Sequence, residues 1–216
     1  MLYESGIFSL IIQIIIGIID FIGLNINVKP ELNIFRDLLK LELSVQGVEF
    51  IFYLWMVINF KNITNITPYR YFDWMITTPT MLLTLMTFLK SNEYTNLLEF
   101  IKDNKEDIIK VVIANLLMLL FGLSGEYNII KNELAVLLGF IPFLYYFNLI
   151  HKKFINDKTT NDKKKIYWFF VFVWSLYGIA ALLPYKNKNI MYNILDLFSK
   201  NVFGLILVYY IWINRV

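Results

Sequence analysis

RYFDWMITTPTMLLTL, residues 70–85, places an arginine, an aspartate and four threonines in a run that is otherwise aliphatic and aromatic. With the apolar residues up to Leu89 the stretch is long enough to cross a bilayer, where a polar side chain needs a partner or a function. The rest of the chain agrees: 58% of its 216 residues are apolar, 18% aromatic and 17% charged, against about 25% charged in an ordinary soluble domain. The partner implied first is therefore the lipid bilayer.

A helix needs about 20 residues to span the hydrocarbon. Apolar stretches of that length fall at 3–24, 34–59, 69–89, 107–124, 128–150, 164–184 and 190–214. These seven spans, A to G, predict an all-α membrane protein, a seven-transmembrane-helix bundle forming a single domain over 1–216. The linkers expected between them are 25–30, 61–68, 90–105, 125–127, 151–165 and 184–189, with the usual breakers. HKKFINDKTTNDKKK, residues 151–165, concentrates six lysines and reads as a cytoplasmic loop, so the N-terminus is expected outside and the C-terminus, with Arg215, inside. The N-terminal run lacks a basic leader and a small-residue cleavage site and carries Gln13 and Asp20, so it reads as a retained helix.

Several classes are excluded. The chain has no cysteine and one histidine, so disulfides and clustered metal sites are ruled out. The net charge of +3 lies between apolar spans and not on one wet face, which argues against nucleic acid. Nothing in the pattern points to an enzyme.

Lys200, near the middle of span G, is the ionisable residue most in need of explanation. Asp196 lies one turn before it, and Arg70, Asp73 and Thr77 recur at helical spacing in span C. The residues alone leave two readings open. Lysine, arginine and two aspartates would form a buried ion cluster that ties helices together. Or the desolvated amine would form an imine with a carbonyl ligand, with Asp73 and Asp196 as counterions to the protonated nitrogen. Trp74, Trp174 and Tyr177 suit the walls of a flat conjugated ligand, although aromatic stripes also serve plain packing.

RYFDWMITTP, the WSLY of span F and DLFSKNVFG in span G resemble, in that order, helices C, F and G of the microbial rhodopsins. The resemblance spans most of the chain. It implies all-trans retinal on Lys200 as a Schiff base, Asp73 as primary counterion and proton acceptor, and Asp196 as the second counterion. It further implies Arg70 beside the counterions, Thr77 as the hydroxyl bonded to the acceptor, and Trp74, Trp174 and Tyr177 around the polyene. Met118 and Gly122 resemble pocket residues near the ring, Asn115 stands where an aspartate often bonds the threonine matched by Thr78, and Ser199 sets a hydroxyl beside the lysine. Eleven positions after Asp73, where efficient proton pumps of the family carry a carboxylate donor, this chain has Thr84, which cannot donate at neutral pH.

Span B carries LELSVQGVEF, with Glu42, Gln46 and Glu49 on one helical face. Ser9 and Gln13 in span A and Asn201 after the lysine extend the polar set. It reads either as an inter-helix hydrogen-bond seam or as a path lined for cations. The glutamates seven apart and the asparagine after the lysine resemble channelrhodopsins, and the short loops and AT-rich residue usage resemble the viral rhodopsins of large algal viruses, which implies a multi-pass protein of the host cell membrane. A light-gated channel for monovalent cations leads, ahead of a weak outward proton pump with Glu42 as donor, and of a sensor. The glutamates are expected to line the path without touching the lysine nitrogen. The resemblance also implies a homo-oligomer, of an order the sequence does not give.

Overall fold

The computed structural model describes residues 1–215. The first helix, α1 (Leu2–Leu24), shows how the bundle is built: its buried residues Leu2, Gly6, Ser9, Gln13, Ile16, Asp20 and Gly23 advance by alternating fours and threes. That spacing is one face of a helix. The opposite face shows Ile14, Ile15, Ile18, Phe21 and Ile22 to the outside, as lipid requires. The polar positions of α1 thus point inward, an inversion of the soluble pattern.

α2 (Asn33–Asn59) buries Leu38, Leu39, Glu42, Val45, Gln46, Glu49, Tyr53 and Met56 by the same rule. α3 (Thr67–Leu89) begins with a proline in its first turn, where the missing N–H costs nothing. Then follow α4 (Leu97–Asp103), α5 (Lys105–Glu126), α6 (Asn132–Phe154), α7 (Asn161–Ala181), α8 (Tyr185–Asp196) and α9 (Val202–Ile213). α8 and α9 are joined by a π-helical turn, Leu197–Asn201, closed by a bond from the Val202 N–H to the Leu197 carbonyl, and together they form one span of 29 residues. With α4 set aside as a short connector, the seven spans are all present, and five of them are long and apolar enough to cross a membrane by composition alone. α3 is diluted by Arg70, Asp73 and its threonines, α7 by its NDKKK start.

The linkers differ from the expected ones in four places. Residues 90–105 contain α4, capped by the Asn96 side chain, which accepts from the Glu99 N–H. The lysine segment is mostly helical: His151, Lys152 and Lys153 end α6 and Asn161 starts α7, leaving 155–160 as loop. Cations in a last helical turn complement its dipole, and the Thr160 side chain caps α7. The turn after α5 falls at Tyr127–Lys131, with Asn128 at φ 56°, a left-handed position that asparagine tolerates. Residues 185–189 belong to α8, whose Lys188 pairs with Glu126 at 2.6 Å. Outside the spans, Glu93 is held below the usual carboxylate range by bonds from Asn156 and Lys90.

Candidate functional site

Lys200 is 1% exposed, and its Nζ donates to Asp73 Oδ2 at 2.7 Å. Glu49 Oε1 lies 3.6 Å from the same nitrogen and Asp196 Oδ1 3.9 Å. The π turn carries an extra residue between Asp196 and Val202, which turns Ser199, Lys200 and Asn201 all toward the interior; such turns recur at functional sites. The Glu49 contact corrects the expectation that the span B glutamates stay clear of the lysine: with α2 packed beside the π turn, the second glutamate reaches the nitrogen while the first does not.

Asp196 is held from three sides. Tyr177 Oη donates to Oδ1 at 2.7 Å, Tyr53 Oη to Oδ2 at 2.7 Å, and Arg70 Nη1 approaches Oδ2 at 3.4 Å. Arg70 itself is fully buried and donates from Nε to Asn189 Oδ1 at 2.9 Å and from Nη2 to Asn193 Oδ1. Two cations therefore meet three carboxylates within one network, and the polar α8 residues, which the sequence reading passed over as linker or left unread, complete it. A signal existed: Asn189, Asn193 and Asp196 recur at four- and three-residue spacing.

Two hydroxyls act differently from expectation. Thr77 Oγ1 donates to the Asp73 backbone carbonyl at 2.9 Å, and not to the carboxylate, because a helical threonine reaches the carbonyl one turn back. Ser199 Oγ lies 2.8 Å from Tyr177 Oη, so its hydroxyl is spent on the tyrosine. Thr78 Oγ1 accepts from Asn115 Nδ2 at 2.7 Å, joining α3 to α5 as the asparagine's placement suggests.

Beyond the nitrogen opens a cavity lined by Trp74, Thr78, Met118, Gly122, Trp174, Tyr177, Ser199 and Lys200, together with Tyr71, Phe143, Gly178 and Tyr192, which sequence reasoning missed. The rings pack edge to face, Trp74 against Tyr177 at 5.5 Å and against Tyr192 at 5.0 Å. Two glycines set its shape: a Cβ at Gly122 would stand 2.6 Å from Tyr71 Oη, and one at Gly178 2.6 Å from Phe140. An apolar, ring-walled slot ending at one amine fits a long conjugated aldehyde.

The span A and B residues are buried but poorly partnered. Ser9 Oγ donates to the Asn193 carbonyl at 3.1 Å and Gln46 Nε2 donates to Asp20. Among the described residues, neither polar atom of Gln13 or Asn201, and neither carboxylate oxygen of Glu42 or Glu49, has a hydrogen-bond partner. Buried polar groups without protein partners are ordinarily satisfied by water or ions.

A seven-helix bundle with one lysine at the end of an aromatic slot and carboxylates about its nitrogen defines a retinal-binding membrane protein. A family profile described as bacteriorhodopsin-like protein matches residues 4–214, and the chain belongs to that family. Its cofactor is retinal, bound as a Schiff base through Lys200, and it is a multi-pass integral membrane protein of light-driven ion transport. The chain is 27% identical to viral rhodopsin OLPVRII, whose crystal structure superposes with a TM-score of 0.86 over 98% of each chain. The blue light-absorbing proteorhodopsin from Med12 shares the fold at 23% identity, with a TM-score of 0.78 over 99% of this chain and 97% of that one. The green-light absorbing proteorhodopsin of Gamma-proteobacterium EBAC31A08 is 23% identical over 182 residues, covering 76% of this chain and 69% of the relative.

The Glu49 contact carries a spectral consequence. Glu49→Gln removes a carboxylate 3.6 Å from the lysine nitrogen, and a negative charge there favours positive charge localised on that nitrogen in the ground state. The absorption maximum is expected to move to longer wavelength, by less than for Asp73→Asn at 2.7 Å. Spectra of the two purified variants check it; an unmoved Glu49→Gln spectrum would place that carboxylate outside the counterion complex.

Proposed function

We propose that the protein is a light-gated channel for monovalent cations. One observation carries the reading. The unpartnered buried groups of Gln13, Glu42, Glu49 and Asn201 form a polar seam among α1, α2 and the π turn, and Glu49 joins that seam to Lys200 at 3.6 Å. A row of carboxylates and amides between helices is how a cation path is lined, and here the row begins at the nitrogen that light affects.

The chain acts as one retinal-binding domain over residues 1–216. The lysine-rich end faces the cytoplasm: of 20 lysines and arginines, only Lys61, Lys131, Lys186 and Lys188 lie at the end where α1 begins. Retinal on Lys200 supplies light absorption and a change of shape. The residues do the rest. Asp73 Oδ2, the nearest acceptor, holds the proton of Nζ. Arg70, Tyr53 and Tyr177 hold Asp196 in place, and with Asn189 and Asn193 they close the outer half in the dark. Trp74, Trp174, Tyr177 and Tyr192 hold the chromophore and exclude water, with Met118, Gly122 and Thr78 shaping the far end. When Nζ shifts, Glu49 loses its partner and is free to bind a cation.

A weak outward proton pump is the second reading, favoured by Glu42. Thr84 Oγ1 donates to the Thr80 carbonyl at 3.0 Å, and no carboxylate stands at its position, so Glu42 would have to supply the returning proton. Glu42→Gln separates the two. The channel reading expects a photocurrent reduced several-fold with recovery after a flash nearly unchanged. Slowed recovery that external azide restores would favour the pump.

A further inference from the structure

We propose that Asp20, which the chemistry at Lys200 does not use, is a cation-binding residue on the lysine-rich side of the path, forming with Gln46 and Glu42 an all-oxygen station one turn beyond the lysine. The inference rests on the channel reading and extends it to a second place on the path.

Asp20 is fully buried near the end of α1, in the stripe that carries Ser9 and Gln13. Gln46 Nε2 donates to its Oδ2. The oxygens left over are acceptors without a hydrogen-bond partner among the described residues: Asp20 Oδ1, Gln46 Oε1 and both of Glu42. Glu42 is one turn from Gln46 on the same face of α2, and Asp20 is among its electrostatic neighbours. The Thr84 hydroxyl, a neighbour of Glu42, donates to the Thr80 backbone carbonyl. The ion pairs of the spans take in Asp73, Glu49 and Asp196, but not Asp20 or Glu42. Ionisable groups at membrane depth mark ion pathways, and among the described residues no lysine or arginine nitrogen makes a salt bridge with either of these two carboxyls. Oxygen-only ligands are what hard cations take. Two carboxyl groups and one amide oxygen are few ligands beside the roughly six to eight oxygens a resident calcium ion takes, and they suit a monovalent ion in transit.

The packing makes room for the carboxylate. A Cβ at Gly204, one turn after Lys200, would overlap the Asp20 carboxylate, and a Cβ at Gly17 would come within 3.2 Å of Gln46 Oε1. Gly204 thus couples the lysine helix to Asp20: any rotation of α9 presses on the carboxylate or frees it from Gln46.

The test is whole-cell recording from cells expressing the full chain with retinal, in sodium and then potassium solutions, beside absorption spectra of the same variants. Asp20→Asn is expected to lower the photocurrent several-fold and alter the sodium-to-potassium permeability ratio, with an unshifted spectrum because Asp20 does not touch Lys200. Asp20→Glu should recover part of the current. Unchanged amplitude and permeability ratio in Asp20→Asn would overturn the proposal while leaving the channel reading intact. A wild-type current that never reverses with voltage would instead remove the channel reading. Should Asp20→Asn form no pigment, Gly204→Ala, which keeps every polar atom, carries the same two outcomes.

Discussion

Lys200→Ala is expected to yield a protein that takes up no stable retinal and stays colourless, a complete loss of visible absorption and of every light response. Lysines elsewhere lie at the ends of the spans; the buried Lys163 bonds Ser91 and Asn92, and Lys188 pairs with Glu126. Neither opens on the ring-walled cavity. Absorption after retinal addition, with and without hydroxylamine, reads the outcome. A coloured, hydroxylamine-sensitive variant would move the attachment site.

Arg70→Ala is expected to cost about 3 kcal/mol of stability, the low end of the range for breaking a buried ion pair. The low end applies because Asp196 keeps Tyr53, Tyr177 and Lys200, and Asn193 Oδ1 keeps Tyr53 Oη at 3.1 Å, yet both asparagine oxygens lose the guanidinium donor. The guanidinium also lies 5.5–5.7 Å from the rings of Phe52, Tyr53 and Tyr192. For a chain of this size the thermal bleaching midpoint should fall by roughly 6–12 °C. Arg70→Lys should recover only part of that, since an ammonium cannot bridge Asn189, Asn193 and Asp196 from one plane. A midpoint within about 2 °C of wild type would mean the network contributes little.

The spans were legible in the sequence because hydropathy at a fixed length is a local property, and the Lys200, Asp73 and Asp196 group because charge at membrane depth stands out. What was illegible depended on register between helices. Glu49 and Glu42 look alike in LELSVQGVEF, yet only Glu49 meets the lysine, since α2 and the π turn are aligned by packing and nothing in DLFSKNVFG announces an i→i+5 bond. The family resemblance implies a bond from Thr77 to the Asp73 carboxylate, but a threonine one helical turn on reaches the backbone carbonyl instead. The polarity of α8 makes Asn189 look like linker and hides Asn193, yet that polarity serves Arg70. In sequence Asp20 is only an interruption in an apolar run, and its bond to Gln46 appears once α1 and α2 are side by side.

The central claim, that the seam beside Lys200 conducts cations when the protein is illuminated, is tested most directly by the voltage at which the photocurrent changes sign. Under voltage clamp, with the external monovalent cation varied tenfold, the current should reverse at a defined voltage that shifts by up to about 59 mV, the limit for one permeant monovalent ion. A photocurrent of one direction at every voltage, indifferent to the cation gradient, would contradict it.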